Sequence, residues 1–73
     1  MPAMVPAVQA GEILDRLRSR GMSVRAIGAR LDVGRTTIGR ILEARGRGRD
    51  AHLLISIHTE RKIAGEQLPP VLS

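Results

Sequence analysis

The chain has 73 residues, which is enough for one small domain and too few for a deep substrate cavity. It contains no cysteine, so disulfides, thiolate metal sites and thiol catalysis are excluded. Its formal net charge is +5, and no apolar run approaches the roughly 18 residues of a membrane-spanning helix. We therefore expect a cytoplasmic protein without a membrane partner.

The hydrophobic pattern predicts three core helices behind a frayed start. Residues 1–8 contain two prolines and no helical period, and we interpret them as a tail. Apolar residues then recur at the spacing of amphipathic helices over residues 9–20, 24–31 and 35–45. Gly21 ends the first helix, and Ser23 has the side chain of a good N-cap for the second. The chain has no Phe, Tyr or Trp, so the shared core must be aliphatic.

The rest of the sequence predicts a linker and one more helix. Residues 45–50 are rich in arginine and glycine and form a basic linker. Residues 52–55 are apolar and fit either a short strand or a packing segment. Ser56 is the expected N-cap of a fourth helix over residues 57–64, and residues 69–73 read as a second tail. The predicted fold class is all-α.

The connection between the second and third helices carries the main functional signal. Residues 32–34 have the length of the tight turn in a DNA-reading helix-turn-helix, which lets the second helix of the pair protrude. Gly28 provides a small residue at the helix crossing, and Val33 fills the turn. Ile38 and Ile41 hold the third helix on the second. The sequence thus predicts one domain over residues 1–73: a small helix-turn-helix bundle of three core helices plus a short fourth helix, with the motif at about 23–45.

Residues 24–42 resemble the helix-turn-helix of resolvase-invertase and transposase proteins, and also the headpiece of lactose-repressor-type regulators. Residues 55–64 resemble the helix that follows the recognition helix in that repressor family. In the turn, Asp32 stands where these families usually have glycine, and Gly34 stands where they usually have a Ser or Thr cap. The resemblance implies double-stranded DNA as the partner. It also implies base-reading roles for Arg35, Thr36 and Arg40, and a phosphate contact for Thr37.

The angular positions of the residues around the third helix also predict an exposed surface for DNA contact. At about 100° per residue, Thr36, Gly39, Arg40 and Glu43 point away from the apolar stripe. Arg40 is suited to a bidentate guanine contact, and Thr36 to a thymine methyl group. Gly39 weakens a helix by about 1 kcal/mol relative to alanine, so we expect close approach of DNA there.

Basic residues surround that helix. Ten lie between Arg16 and Arg49, against two acidic residues, as expected for a protein that binds a phosphate backbone, although GC-rich codon usage would also enrich arginine. Ser23 and Arg25 are placed to hold a phosphate at the start of the second helix. The stretch from Arg45 through Arg47 to Arg49 resembles the core of AT-hook peptides and predicts an arm that is disordered alone and lies in the minor groove on DNA. The alternative is a flexible connector.

No catalytic triad or metal-ligand spacing occurs in the sequence, so we expect no enzyme activity, metal, cofactor or small-molecule ligand. The leading hypothesis is a sequence-specific DNA-binding protein, a small phage-like transcriptional regulator or repressor that binds as a dimer. The first alternative is a recombination accessory factor or the DNA-binding module of a recombinase or transposase. The second is a protein–protein adaptor that docks through residues 53–55.

Overall fold

The computed structural model describes residues 3–65, which are mostly helical and include four α-helices and a small two-stranded sheet. The predicted tail at residues 69–73 lies outside this range. The elements in chain order are β1 (Met4–Pro6), α1 (Val8–Ser19), α2 (Val24–Leu31), α3 (Arg35–Gly46), a one-turn 3₁₀ helix (Asp50–His52), β2 (Leu54–Ser56) and α4 (Ile57–Ala64).

The start of the chain differs from the prediction, because residues 4–8 are not a frayed tail. β1 pairs antiparallel with β2, with Val5 opposite Ile55. Ala7 is fully buried, and its backbone amide donates to the Leu53 carbonyl at 2.9 Å. A proline at the end of a short strand is compatible with this pairing, because Pro6 has no amide to leave unsatisfied. The fold therefore includes a small sheet and is not strictly all-α, and the apolar run at residues 52–55 leads into its second strand.

The predicted helix boundaries agree with the structure to within a residue for α1, α2, α3 and α4. Gly21 takes a left-handed conformation after α1, with φ of 93°. The Ser23 hydroxyl accepts a hydrogen bond from the Ala26 amide at 3.0 Å and caps α2. The Ser56 hydroxyl accepts one from the Thr59 amide at 3.1 Å and caps α4. These local signals place the helix ends because each satisfies backbone groups that the helix itself leaves free.

One aliphatic core joins all four helices and the inner face of the sheet. α1 packs against both α3 and α4, and α2 packs against α3. Burying each large aliphatic side chain contributes about 1.5–3 kcal/mol, so a few such residues dominate the stability of a chain this short. The largest fully buried side chains are Leu14, Ile27, Ile38, Ile41 and Ile63.

Candidate functional site

The connection between α2 and α3 is a tight turn that brings the two helices into close contact. Asp32 takes a left-handed conformation with φ of 57° and ψ of 48°, and Val33 is half-buried against the core. A Cβ atom on Gly28 would lie 2.9 Å from the Val33 carbonyl oxygen. This distance is too short for a van der Waals contact, and a backbone oxygen cannot move away as a flexible side chain can. The expectation of a small residue at this crossing is therefore confirmed.

α3 has one fully buried side and one exposed side. Ile38 and Ile41 are completely buried, while Arg35 is exposed and Thr37 is half-buried at the edge. The exposed side is the one predicted from the angular positions, and it consists of Thr36, Gly39, Arg40 and Glu43. The structure thus brings most of the predicted base-reading residues together on one exposed surface.

Gly39 lies at the edge of this exposed surface that is nearest to Leu42, and the protein's own packing gives no reason for it. A Cβ atom at this position would have no atom within 4 Å among the described residues. A glycine in a helix interior lowers helix stability by about 1 kcal/mol relative to alanine. Gly28 is the opposite case, because its crossing has no room for a methyl group. Because Gly39 has no side chain, the backbone of α3 is uncovered at this position and another molecule can approach it closely.

The predicted contact arginines fall into two groups. Arg25, Arg35, Arg40 and Arg49 form no side-chain hydrogen bond or ion pair within residues 3–65. All four are exposed. Their guanidinium groups therefore present unsatisfied donors and positive charge to solvent on and around α3. Such groups suit an anionic partner that accepts hydrogen bonds.

Arg45 belongs to the other group, because its side chain is tied to the protein. Its Nε donates to Oδ2 of Asp15 on α1 at 2.7 Å, and one terminal nitrogen lies 3.4 Å from Oδ2 of Asp50. The hydrogen bond to Asp15 raises the pKa of Arg45. Gly11 makes room for this side chain, since a Cβ there would lie 3.1 Å from Cδ of Arg45. Arg45 holds α1 to α3 and does not extend toward solvent as part of an arm.

The predicted basic linker at residues 45–50 is replaced by the capped end of α3. Residues 45 and 46 are helical, and Gly48 has a φ of 71°. The Gly48 amide donates to the Arg45 carbonyl at 3.0 Å, and the Arg49 amide donates to the Ala44 carbonyl at 2.7 Å. This is the Schellman arrangement, in which a left-handed glycine closes a helix. The expected disorder of this stretch is therefore wrong for its first part, because its amides satisfy the last carbonyls of α3.

Arg47 lies at this capped end and forms a loose pair with Glu43. The distance between its terminal nitrogen and Oε2 of Glu43 is 3.5 Å, and both side chains are about two-thirds exposed, at 66% and 67%. An exposed pair of this kind is worth little and opens readily to another anion. Arg47 and the unpaired Arg49 thus remain accessible cations beyond the C-terminal end of the exposed α3 surface.

The starts of α2 and α3 differ in how their first amides are satisfied. The hydroxyl of Ser23 is used as the α2 cap, which is the structural role weighed for it from the sequence. Gly34 precedes α3 and provides no side-chain cap. The first-turn amides of a helix have no acceptor within the helix, and they attract anions. Arg35 stands at this uncapped start, so the first turn of α3 combines free donors with a free cation.

Lys62 of α4 contributes a contact that the sequence did not reveal. Its Nζ donates to the backbone carbonyl of Asp32 at 2.9 Å and lies 3.2 Å from Oδ2 of the same residue. Lys62 is thirty positions away in sequence, and no spacing rule connects the two residues. The left-handed residue of the turn is thus held by a charge from the fourth helix.

Other kinds of site receive no support from residues 3–65. They contain no group of three or more His, Asp or Glu side chains that could hold a metal ion. No helix in this range has the length and apolar character needed to cross a bilayer. The chain matches no family model, no curated protein and no solved structure.

Proposed function

We propose that the chain is a sequence-specific DNA-binding protein in which α2 and α3 form a helix-turn-helix and α3 reads the major groove. The observation that carries the proposal is the exposed α3 surface, where Arg40 has no partner among the described residues and lies opposite the fully buried Ile38 and Ile41. A major groove is about 12 Å wide and admits one α-helix, so this surface has the right size and chemistry for base edges.

The arrangement around α3 supports phosphate contacts on both sides of such a groove. Arg25 lies in the first turn of α2, beside the Ser23 cap, and Arg35 lies at the uncapped start of α3. Phosphate contacts of this kind set the register of the helix on the duplex without reading sequence. Arg47 and Arg49 add two accessible cations at the far end of the helix. In this assignment, Thr36 and Arg40 remain for the bases.

The direct test is selection of bound duplexes from a random DNA pool, followed by affinity measurement on the selected site. We expect Arg40→Ala to weaken binding to that site by about 1–3 kcal/mol and to leave non-specific binding nearly intact. Arg16→Ala removes an exposed arginine from α1 and is the matched control, with a small effect that is equal on all sequences. Equal affinities of Arg40→Ala and the parent for the selected site would contradict the assignment.

The role within DNA chemistry is proposed as transcriptional regulation, with a recombination accessory factor or recombinase module as the alternative on the same surface.

A protein–protein adaptor is a second candidate, and it rests on two exposed apolar side chains of the sheet. Met4 and Leu54 are 52% and 54% exposed. Of the predicted docking edge at residues 53–55, Ile55 is buried and Leu53 half-buried, which leaves Leu54 to contact a partner. An affinity for DNA that falls steeply with salt favours the regulator over the adaptor.

A further inference from the structure

Asp32 gives the turn between α2 and α3 an unfavourable backbone conformation. Of the described residues other than glycine, it is the one with a positive φ. An L-residue in the left-handed region is less stable than glycine there, although Asp and Asn tolerate it better than most. The Asp32 amide and the Val33 amide both donate to the Gly28 carbonyl, so the amide side of the turn is satisfied within α2.

The carbonyl side of the turn is satisfied by Lys62. The Nζ of Lys62 donates to the Asp32 carbonyl at 2.9 Å and faces the Asp32 carboxylate at 3.2 Å, so one ammonium group holds two oxygens of a single residue. Lys62 precedes the fully buried Ile63, which anchors that part of α4 in the core. The side chain of Lys62 is 34% exposed and that of Asp32 is 94% exposed. The ammonium group of Lys62 therefore connects a helix that is anchored in the core to a turn that is exposed to solvent.

This tie matters because α3 begins three residues after Asp32 and has no side-chain cap of its own. α2 and α4 are each preceded by a serine whose hydroxyl accepts a hydrogen bond from a backbone amide, whereas α3 is preceded by Gly34, which makes no such contact. The conformation at Asp32 therefore sets the direction in which the first turn of α3 leaves α2. A change there shifts the first turn of α3, which carries Arg35 and Thr36, relative to the rest of the domain.

We propose that Lys62 is a positioning residue for DNA recognition: it fixes the turn at Asp32, and through it the first turn of α3, without contacting DNA. The inference rests on the proposed function for its effect on DNA, but not for its effect on the turn. It assigns α4 a part in sequence discrimination, because a correctly oriented helix is needed for base contacts and much less for phosphate contacts.

The first measurement uses the free protein and needs no DNA. Lys62→Met keeps the length and apolar stem of the side chain and removes the ammonium group. We expect faster hydrogen exchange of the Val33 amide, which bonds to the Gly28 carbonyl, with little change at the buried Ile38. The matched control is Arg61→Met, which removes a neighbouring exposed charge that has no side-chain partner among the described residues. Unchanged exchange at Val33 in Lys62→Met would overturn the proposal.

The second measurement compares affinities for the selected site and for unrelated DNA. We expect Lys62→Met to weaken specific binding about fivefold, as for loss of an exposed charge-assisted pair, and to change non-specific binding no more than Arg61→Met does. If Lys62 contacts a phosphate instead, the slope of log affinity against log salt falls by about 1. That result would contradict the proposal.

A double variant separates positioning from simple charge neutralisation. Asp32→Asn keeps a side chain that tolerates the left-handed conformation and keeps the backbone carbonyl that Lys62 binds, so we expect near-parental specificity. If Lys62 only cancels the Asp32 charge near DNA, Asp32→Asn will restore specific binding to Lys62→Met. We expect no such restoration, and full restoration would overturn positioning. A parent protein without any sequence preference overturns the proposed function instead, while the exchange comparison still decides whether Lys62 holds the turn.

Discussion

Replacing Gly39 by alanine is expected to make the protein more stable and a weaker DNA binder. The added methyl group meets no atom within 4 Å, so it introduces no strain into the fold. Alanine in a helix interior is favoured over glycine by about 1 kcal/mol. For a domain of this size, that difference raises the thermal unfolding midpoint by about 4–8 °C. The same methyl group protrudes from the edge of the proposed DNA-reading surface.

The cost appears when the protein binds DNA, because the helix can no longer approach the groove as closely. We expect affinity for the selected site to fall about tenfold, which corresponds to ~1.4 kcal/mol. Circular dichroism gives the midpoint, and anisotropy of a labelled duplex gives the affinity. Gly28→Ala is the control with the opposite sign in stability, because its methyl group would lie 2.9 Å from a backbone oxygen. A stabilised Gly39→Ala protein with undiminished affinity would refute the close approach.

Three further changes test the core, the charge and the stoichiometry. Ile38→Ala truncates a fully buried side chain and should destabilise the domain by about 2–5 kcal/mol, measured by thermal unfolding, and an unchanged midpoint would contradict the core position. Joint replacement of Arg47 and Arg49 by alanine should reduce the salt slope of DNA affinity by up to about 2, whereas an unchanged slope would exclude both from the interface. We expect two copies per DNA site in light scattering and one after joint Leu54→Ser and Met4→Ser replacement, while a one-to-one parental complex would contradict dimer binding.

The helices and their faces could be predicted from sequence because the signals are local. A Ser23 or Ser56 hydroxyl satisfies an amide three residues away, and apolar spacing reports which side of a helix is buried. The Gly28 crossing was predictable for the same reason, since a short turn forces the helices together. These features also define most of the candidate site, because the exposed surface of α3 is the complement of its buried stripe.

The contacts that could not be predicted join residues that are distant in sequence. β1 pairs with a strand that lies fifty residues further along the chain. The three residues of β1 contain too little hydrophobic pattern to predict this pairing. The bonds from Arg45 to Asp15 and from Lys62 to Asp32 each span thirty positions. The cap at Gly48 is a local feature, because a glycine after a helix is a recognised capping signal. The alternation of arginine and glycine in this stretch indicated a linker instead.

The internal ion pairs use some of the charged side chains and leave exposed arginines unpaired on and around α3. Asp15 and Asp50 pair with Arg45, and Asp32 pairs with Lys62. Arg16, Arg20 and Arg61 also have no ion-pair partner among the described residues, but they lie on or beside α1 and α4. On the exposed surface of α3 Glu43 contacts Arg47. Of the predicted contact arginines on and around α3, Arg25, Arg35, Arg40 and Arg49 have no such partner. Because charges separated by more than about 8 Å are largely screened at physiological salt, a nearby phosphate responds mainly to these arginines. The unpaired arginines on and around α3 are thus available to the proposed anionic partner.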